Sequence, residues 1–217
     1  MSTLKASRKV ARPVVVGVTG HRNIASGDAK IAALVRKELR RISRAHKGAP
    51  LVILSGLAEG ADRLVAAVAR EDLGAQLWAI LPLPDALYVQ DFAKRSSVKD
   101  YERLKAGAQR VIAAPLMASR RAVARYGEPR NHQYAWIGAF IAKRAHALLA
   151  LWDGAPARGT GGTADVVDWF LSQRVPGAYG ISKAPRIPAP KRAAGELVRI
   201  DPRTRKVTRR RRSRARR

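Results

Sequence analysis

Short aliphatic runs recur along this chain, separated by longer stretches with helical spacing, and that alternation restricts the fold more than any other feature. Val14–Val18, Leu51–Leu54, Leu77–Leu81, Val111–Ala113, Leu148–Trp152 and a sixth run, Ala178–Ile181, have the length and side chains of buried strands. Between the first two, Ile31, Leu34, Val35, Leu39 and Ile42 fall at i, i+3, i+4, i+8 and i+11 over a Lys/Arg-rich opposite face, with Glu38 in the same series. That pattern predicts an amphipathic helix. Helical spacing also covers Ala61–Asp72, Ser97–Ala108, Gln133–His146 and Ala164–Gln173. Strands alternating with helices predict βαβ units with right-handed crossovers. The expected fold class is therefore α/β: a Rossmann-like, three-layer α/β/α arrangement around a mainly parallel sheet, spanning residues 13–182.

Charge divides the rest of the chain. The 217 residues hold 43 Lys and Arg against 16 Asp and Glu, a net charge of +27. Residues 183–217 carry 15 of the basic residues and only 2 of the acidic ones. This Pro/Arg-rich segment predicts a mostly disordered basic tail, with a weak hairpin over Glu196–Thr208 turning at Asp201-Pro202-Arg203-Thr204. Its arginines, Arg209, Arg210, Arg211 and Arg212 among them, would neutralise nucleic-acid phosphates without regard to sequence. Composition bias with a merely solvated tail is the competing reading. Residues 1–12 form a second, shorter basic arm.

Several classes are excluded or disfavoured. No apolar run approaches the roughly 18 residues of a membrane span, and the N-terminal charges are followed by only a short apolar run without a cleavage pattern. A soluble, cytoplasmic protein with no signal peptide and no membrane partner is expected. With no cysteine there is no disulfide, thiolate nucleophile or Cys-ligated zinc. The histidines His21, His46, His132 and His146 lack ligand spacing, so no metal is expected. Neither G-x-x-x-x-G-K-[ST] nor G-x-G-x-x-G occurs, and strand two ends in Ser55 rather than the acid that would hold a ribose diol. No resident cofactor is predicted.

In an open parallel sheet, ligands bind beyond the carboxyl ends of the strands, so the residues following each strand are where chemistry should be sought. Strand one runs into Gly17-Val18-Thr19-Gly20-His21-Arg22, where Gly20 allows close backbone approach and Arg22 can fork onto an anion. Strand two is followed by Ser55-Gly56-Leu57-Ala58-Glu59-Gly60-Ala61-Asp62. Strand five is followed by Asp153 and a glycine-rich stretch, Gly159-Thr160-Gly161-Gly162-Thr163, that opens a helix. Glycine-rich backbone N–H groups and positive helix ends make anion sites, so the three turns together point to phosphate. Asp62 has an ordinary reading as a helix-start acid, whereas Glu59 has no obvious capping duty. Trp152 could stack on a nucleobase or sit in the core. Arg130-Asn131-His132-Gln133-Tyr134 reads as a solvated basic loop or as a source of anion and base contacts, with Arg120, Arg121 and Arg125 nearby. Tyr88, Phe92 and Tyr101 read as a lid or as an ordinary loop and helix.

Taken together, Gly17–Arg22, Leu54–Ala66 and Leu148–Val167 resemble the SLOG superfamily, the Rossmann-like group that joins DprA, the LOG phosphoribohydrolases and the molybdenum-cofactor carrier and YpsA-like proteins. The resemblance implies a nucleotide or nucleotide-derived ligand above the sheet edge, with the last glycine-rich turn on a phosphate. The second motif resembles the S-G-x-A-x-G-x-D turn of DprA, which in that family accompanies single-stranded DNA binding. The hydrolases of the group carry P-G-G-x-G-T-x-x-E, and the position of their catalytic glutamate is Val166 here. Asp165 and Asp168 are out of phase with it on a helix. Three functions follow in order: a sensor or carrier of a phosphorylated nucleoside ligand, a DprA-like single-strand binder, and a nucleoside-monophosphate N-glycosidic hydrolase using Glu59 or Asp62. Related folds often pair through helices beside the site, which makes a homodimer a further expectation.

Overall fold

Strand β1 (Val14–Gly20) lies at the centre of a seven-stranded sheet of order β4-β3-β2-β1-β5-β6-β7 in the computed structural model, which describes residues 12–157, 159–181, 184, 185, 187 and 195–212. Its neighbours are β2 (Leu51–Ser55) and β5 (Ala147–Leu151), with β3 (Gln76–Leu81) and β4 (Arg110–Ala113) further out on the β2 side. All of these pairs are parallel. Residues 1–11 of the N-terminal arm and the arginines beyond residue 212 lie outside the described residues.

Both faces of the sheet are covered, as fully buried strands require. Val14, Val16 and Val18 of β1 face one core, with Ile53 and Leu149. There they meet α1 (Ala29–Ala45), α2 (Ala61–Leu73) and α4 (Arg95–Ala106). Val15, Leu54, Leu148 and Ala150 face the other core, against α6 (Glu128–Arg144) and α7 (Thr163–Ser172). The chain winds outward from β1 to β4 with helices on one face, then returns to β5 and β6 with helices on the other. This is the doubly wound, Rossmann-like three-layer arrangement. Two short helices, α3 (Asp85–Tyr88) and α5 (Arg120–Val123), fill connections.

Local chemistry fixes these elements. Asp28 caps α1 by accepting from Ile31 N at 3.0 Å, an arrangement worth about 1 kcal/mol. From Ala135 to Ala142 helix α6 is apolar all round, and these residues are all buried between the sheet and α7, as such a segment must be. Tyr88, Phe92 and Tyr101 pack edge-on in the core rather than forming a lid. No helix is long and apolar enough to cross a membrane.

Two expectations are corrected. Residues 178–181 do not form a strand: after Pro176 the chain makes a 3-10 turn over Gly177–Tyr179, and the Tyr179 ring lies 5.7 Å from that of Trp169. The sixth strand is β6 (Glu196–Ile200), parallel to β5, followed by antiparallel β7 (Val207–Arg211). The hairpin expected at this place therefore belongs to the sheet, not to a detached tail. Leu197 enters one core while Val198 and Ile200 enter the other, so a short apolar run within an arginine-rich segment suffices. Glu38, only 1% exposed, accepts from Arg209 through both oxygens and from Arg41 at 2.8 Å, and Arg41 also reaches Glu196 at 2.7 Å. Burial opposes ionisation of Glu38, but the hydrogen bonds from Arg209 and Arg41 prevail and hold its carboxyl below the usual range. Arg209 is thus committed within the fold, while Arg210 and Arg211 are exposed.

Candidate functional site

The sheet reverses its winding between β1 and β5, so the switch point of the fold lies at their carboxyl ends. The backbone there is held to both sides. His21 N–H donates to Leu151 O, and Ala61 N–H donates to His21 O, each at 3.0 Å. Gly60 makes the second contact feasible: its φ is +78°, and a Cβ would stand 2.3 Å from His21 O. Gly161 does the same on the far side, at φ +82° with a hypothetical Cβ 2.4 Å from Ala135 Cα. The three turns therefore share one rim.

Between them lies a cavity of about 430 Å³, lined by Thr19, Gly20 and Arg22 from the first turn, Ala58 and Asp62 from the second, and Gly159, Thr160, Gly161, Gly162 and Thr163 from the third. Helix α6 closes it with Asn131, Tyr134 and Ile137. Arg22 is exposed, stands 5.1 Å from the Tyr134 ring, and has no hydrogen-bond or ion-pair partner among the described residues. Its guanidinium is free to receive an anion.

Asp62 is 9% exposed, and burial pushes its carboxyl up to about 6 against the pull of the Ala58 N–H and of Arg22. It braces the loop rather than the helix start, and it also lines the cavity. Glu59 goes elsewhere. Its Oε1 accepts from Ala93 N at 3.0 Å and from the Ser97 hydroxyl, and these bonds outweigh burial to keep the carboxyl low. It lines a neighbouring cavity of about 590 Å³ with Arg63 and Lys94, which Arg22 also borders. The two candidate catalytic carboxylates thus do not serve one cavity.

Other candidates prove to be structural. Ser55 is fully buried, its hydroxyl accepting from Leu57 N and donating to Asp62 O. Gly17 and Gly56 make room for Ile141 and Ile137 of α6. Arg130 lies within α6 at 2% exposure, bonded to Asp91, Val123 O and Leu87 O, and Gln133 is buried beside it. Neither belongs to a solvated loop. Val166 packs against Gly138 and borders the cavity with an apolar side chain, so the position that would hold the hydrolases' glutamate supplies no carboxylate, while Asp168 is exposed.

In the glycine-rich turn two amides are already used: Gly161 N–H donates to Asp165 Oδ2 at 2.8 Å and Gly162 N–H to Gly159 O at 3.2 Å. The N–H groups of Thr163, Ala164 and Asp165, in the first turn of α7, have no acceptor among the described residues. The donors at this turn therefore lie one step later than the glycines themselves.

Two features escaped the sequence reading. His21 Nε2 lies 3.1 Å from Asp153 Oδ1, joining the ends of β1 and β5. The β6–β7 turn reaches the same rim: with His21, Arg22, Trp152, Asp153 and Thr163, Pro202 and Arg203 line a larger cavity of about 1150 Å³. No three metal-ligating side chains gather among the described residues. Neither a scan against protein-family models nor a search of curated proteins gave a match for this chain.

Proposed function

We propose that this protein binds a nucleotide or nucleotide-derived phosphorylated ligand at the switch point, as a sensor or carrier of the kind the SLOG-like motifs imply. The observation that carries the reading is Arg22, an uncommitted guanidinium that borders the same 430 Å³ cavity as the start of α7, whose first-turn amides have no acceptor among the described residues. A phosphate between them would leave the nucleoside against Tyr134 and within reach of Asp62. A glycosidic hydrolase finds less support: Val166 stands in the core where that group has its glutamate, and Glu59 is held at the start of α4. Nucleic-acid binding by the hairpin loses Arg209 to Glu38.

Calorimetry with the four common nucleoside 5′-monophosphates tests the reading. At least one is expected to bind, with Arg22→Ala weakening it tenfold or more. Gly162→Asp is the sharper variant. Gly162 occupies the N-cap of α7 at φ −64° and ψ 171°, where aspartate is favoured, so the helix should be retained while a negative charge occupies the phosphate's place. Binding that survives Gly162→Asp, or no binding of any monophosphate, would overturn the proposal.

A further inference from the structure

The anion-binding wall of the 430 Å³ cavity is also a wall of the 1150 Å³ cavity: Gly20, Arg22, Gly162 and Thr163 line both. Small-molecule sites run from about 300 to 1,000 Å³, so the smaller compartment is of ligand size and the larger one, at about 1150 Å³, has room to spare for a ligand group. A phosphate held on a shared wall has open space on two sides. A terminal phosphate would leave the larger space unused, whereas a bridging one would send a substituent into each.

The larger compartment is built for a ring beside an anion. Trp152 lines it, with its Nε1–H donating to Ala155 O at 2.9 Å and the Arg199 guanidinium 5.7 Å from its ring, so the indole is fixed in place. Arg203 lines the same compartment, exposed and with no hydrogen-bond or ion-pair partner for its side chain among the described residues. Its backbone is rigidly presented. Asp201 Oδ1 accepts from Arg203 N at 2.9 Å and Thr204 N at 3.0 Å, and Arg205 N–H donates to Asp201 O at 2.8 Å. The hairpin that carries the turn is fastened to α1 through Glu38.

From this juxtaposition we infer that the ligand is two-headed: a nucleoside diphosphate esterified to a second ring, with the pyrophosphate on the shared wall, the nucleoside in the smaller compartment, and the second ring between Trp152 and Arg203. This inference rests on the nucleotide reading above. It adds the ligand's class and gives the C-terminal hairpin a binding role.

Calorimetry on the full chain would compare each nucleoside 5′-monophosphate with a pyrophosphate-bridged counterpart carrying the same base and a second ring: ADP-ribose, GDP-mannose, UDP-glucose and CDP-glucose. At least one bridged ligand is expected to bind tenfold or more tighter than its monophosphate, and Trp152→Ala and Arg203→Ala should each reduce that advantage below threefold. If monophosphates bind and lose affinity with Arg22→Ala, but no bridged ligand gains more than threefold, the two-headed ligand is refuted and the nucleotide reading stands. If the gain is present and neither Trp152→Ala nor Arg203→Ala diminishes it, the second ring does not occupy the larger compartment and the proposal fails. No binding by any probe overturns both readings together.

Discussion

Replacing Asp62 with asparagine should stabilise this protein at neutral and alkaline pH, an unusual result for a change at a buried site. The carboxyl titrates near 3.8 in an unfolded chain and at about 6 in the fold, where burial disfavours its charge. A group whose folded pKa is raised contributes stability that is fully present below the unfolded value and is lost as pH rises through the folded one. At about 1.4 kcal/mol per pH unit, a gap of roughly two pH units makes the loss about 3 kcal/mol between pH 4 and pH 7. Asparagine is close in shape and keeps an acceptor for Ala58 N, so it removes the charge without opening a cavity. Urea unfolding followed by tryptophan fluorescence, at half-unit steps from pH 3.5 to 8, would compare the two proteins. They are expected to agree to within about 0.5 kcal/mol at pH 3.5, where Asp62 is neutral. By pH 8 Asp62→Asn should lead by about 2 to 3 kcal/mol. Taking the difference cancels every other titrating group. A difference that does not change with pH would refute the reasoning, because Asp62 would then be as well solvated in the fold as out of it.

Three other outcomes follow from the same geometry. Glu38→Gln should cost about 1 to 3 kcal/mol, less than the 3 to 5 typical of a broken buried pair because Arg41 and Arg209 can turn to water. The folded pKa of Glu38 is depressed, so its contribution is present above about 4.5 and lost as pH falls through the folded value; hydrogen exchange of the β6 and β7 amides, faster in the variant at pH 7 and alike in strong acid, checks it. Gly60→Ala should destabilise by about 2 to 4 kcal/mol, since its Cβ would meet His21 O; an unchanged urea midpoint would count against the rim geometry. His146 accepts from Val15 N through Nδ1, and burial lowers its pKa to about 4, so its contribution is present above about 6.5 and lost as pH falls through 4; an NMR titration midpoint near 6.5 would show that this bond is absent.

Periodicity made the first five strands and their helices legible, because each must bury its own side chains and the pattern needed for that is local. The docking of β6 was not legible in the same way. Leu197-Val198-Arg199-Ile200 alternates weakly within an arginine-rich segment, and what orders it is a carboxylate 171 residues before Arg209. Glu38 within the apolar stripe of α1 was the available clue, since a carboxylate on a core-facing stripe requires a cationic partner. Arg130 and Gln133 misled for the opposite reason. Five consecutive polar or amphipathic residues resemble a loop, yet these two are three apart, in line with Ile137 and Phe140, and lie on one buried stripe. Glycine content marked three turns that the fold brings to one rim, but it did not show that Gly161 and Gly162 use their amides to shape the turn.

The disposition of acids in so basic a chain strengthens the case for an anionic ligand. Most of the acids on either side of the rim are already matched: Asp72 with Arg36, Asp91 with Arg130, Glu38 with Arg209 and Arg41, and Asp85 with Lys105. At the rim itself Asp28 faces Arg205, at 3.8 Å, and Asp153 faces His21. Arg22 and Arg203 are left over, on two different elements that border one cavity. Had the excess charge served solubility alone, it could have been spread evenly. Two uncompensated guanidinium groups in a concave space instead focus a positive field there, and Asp62, which lines the adjoining cavity with Arg22, is held where burial resists its ionisation. A raised carboxylate pKa beside arginines that have no partner among the described residues is the electrostatic pattern that the proposed anionic ligand would require.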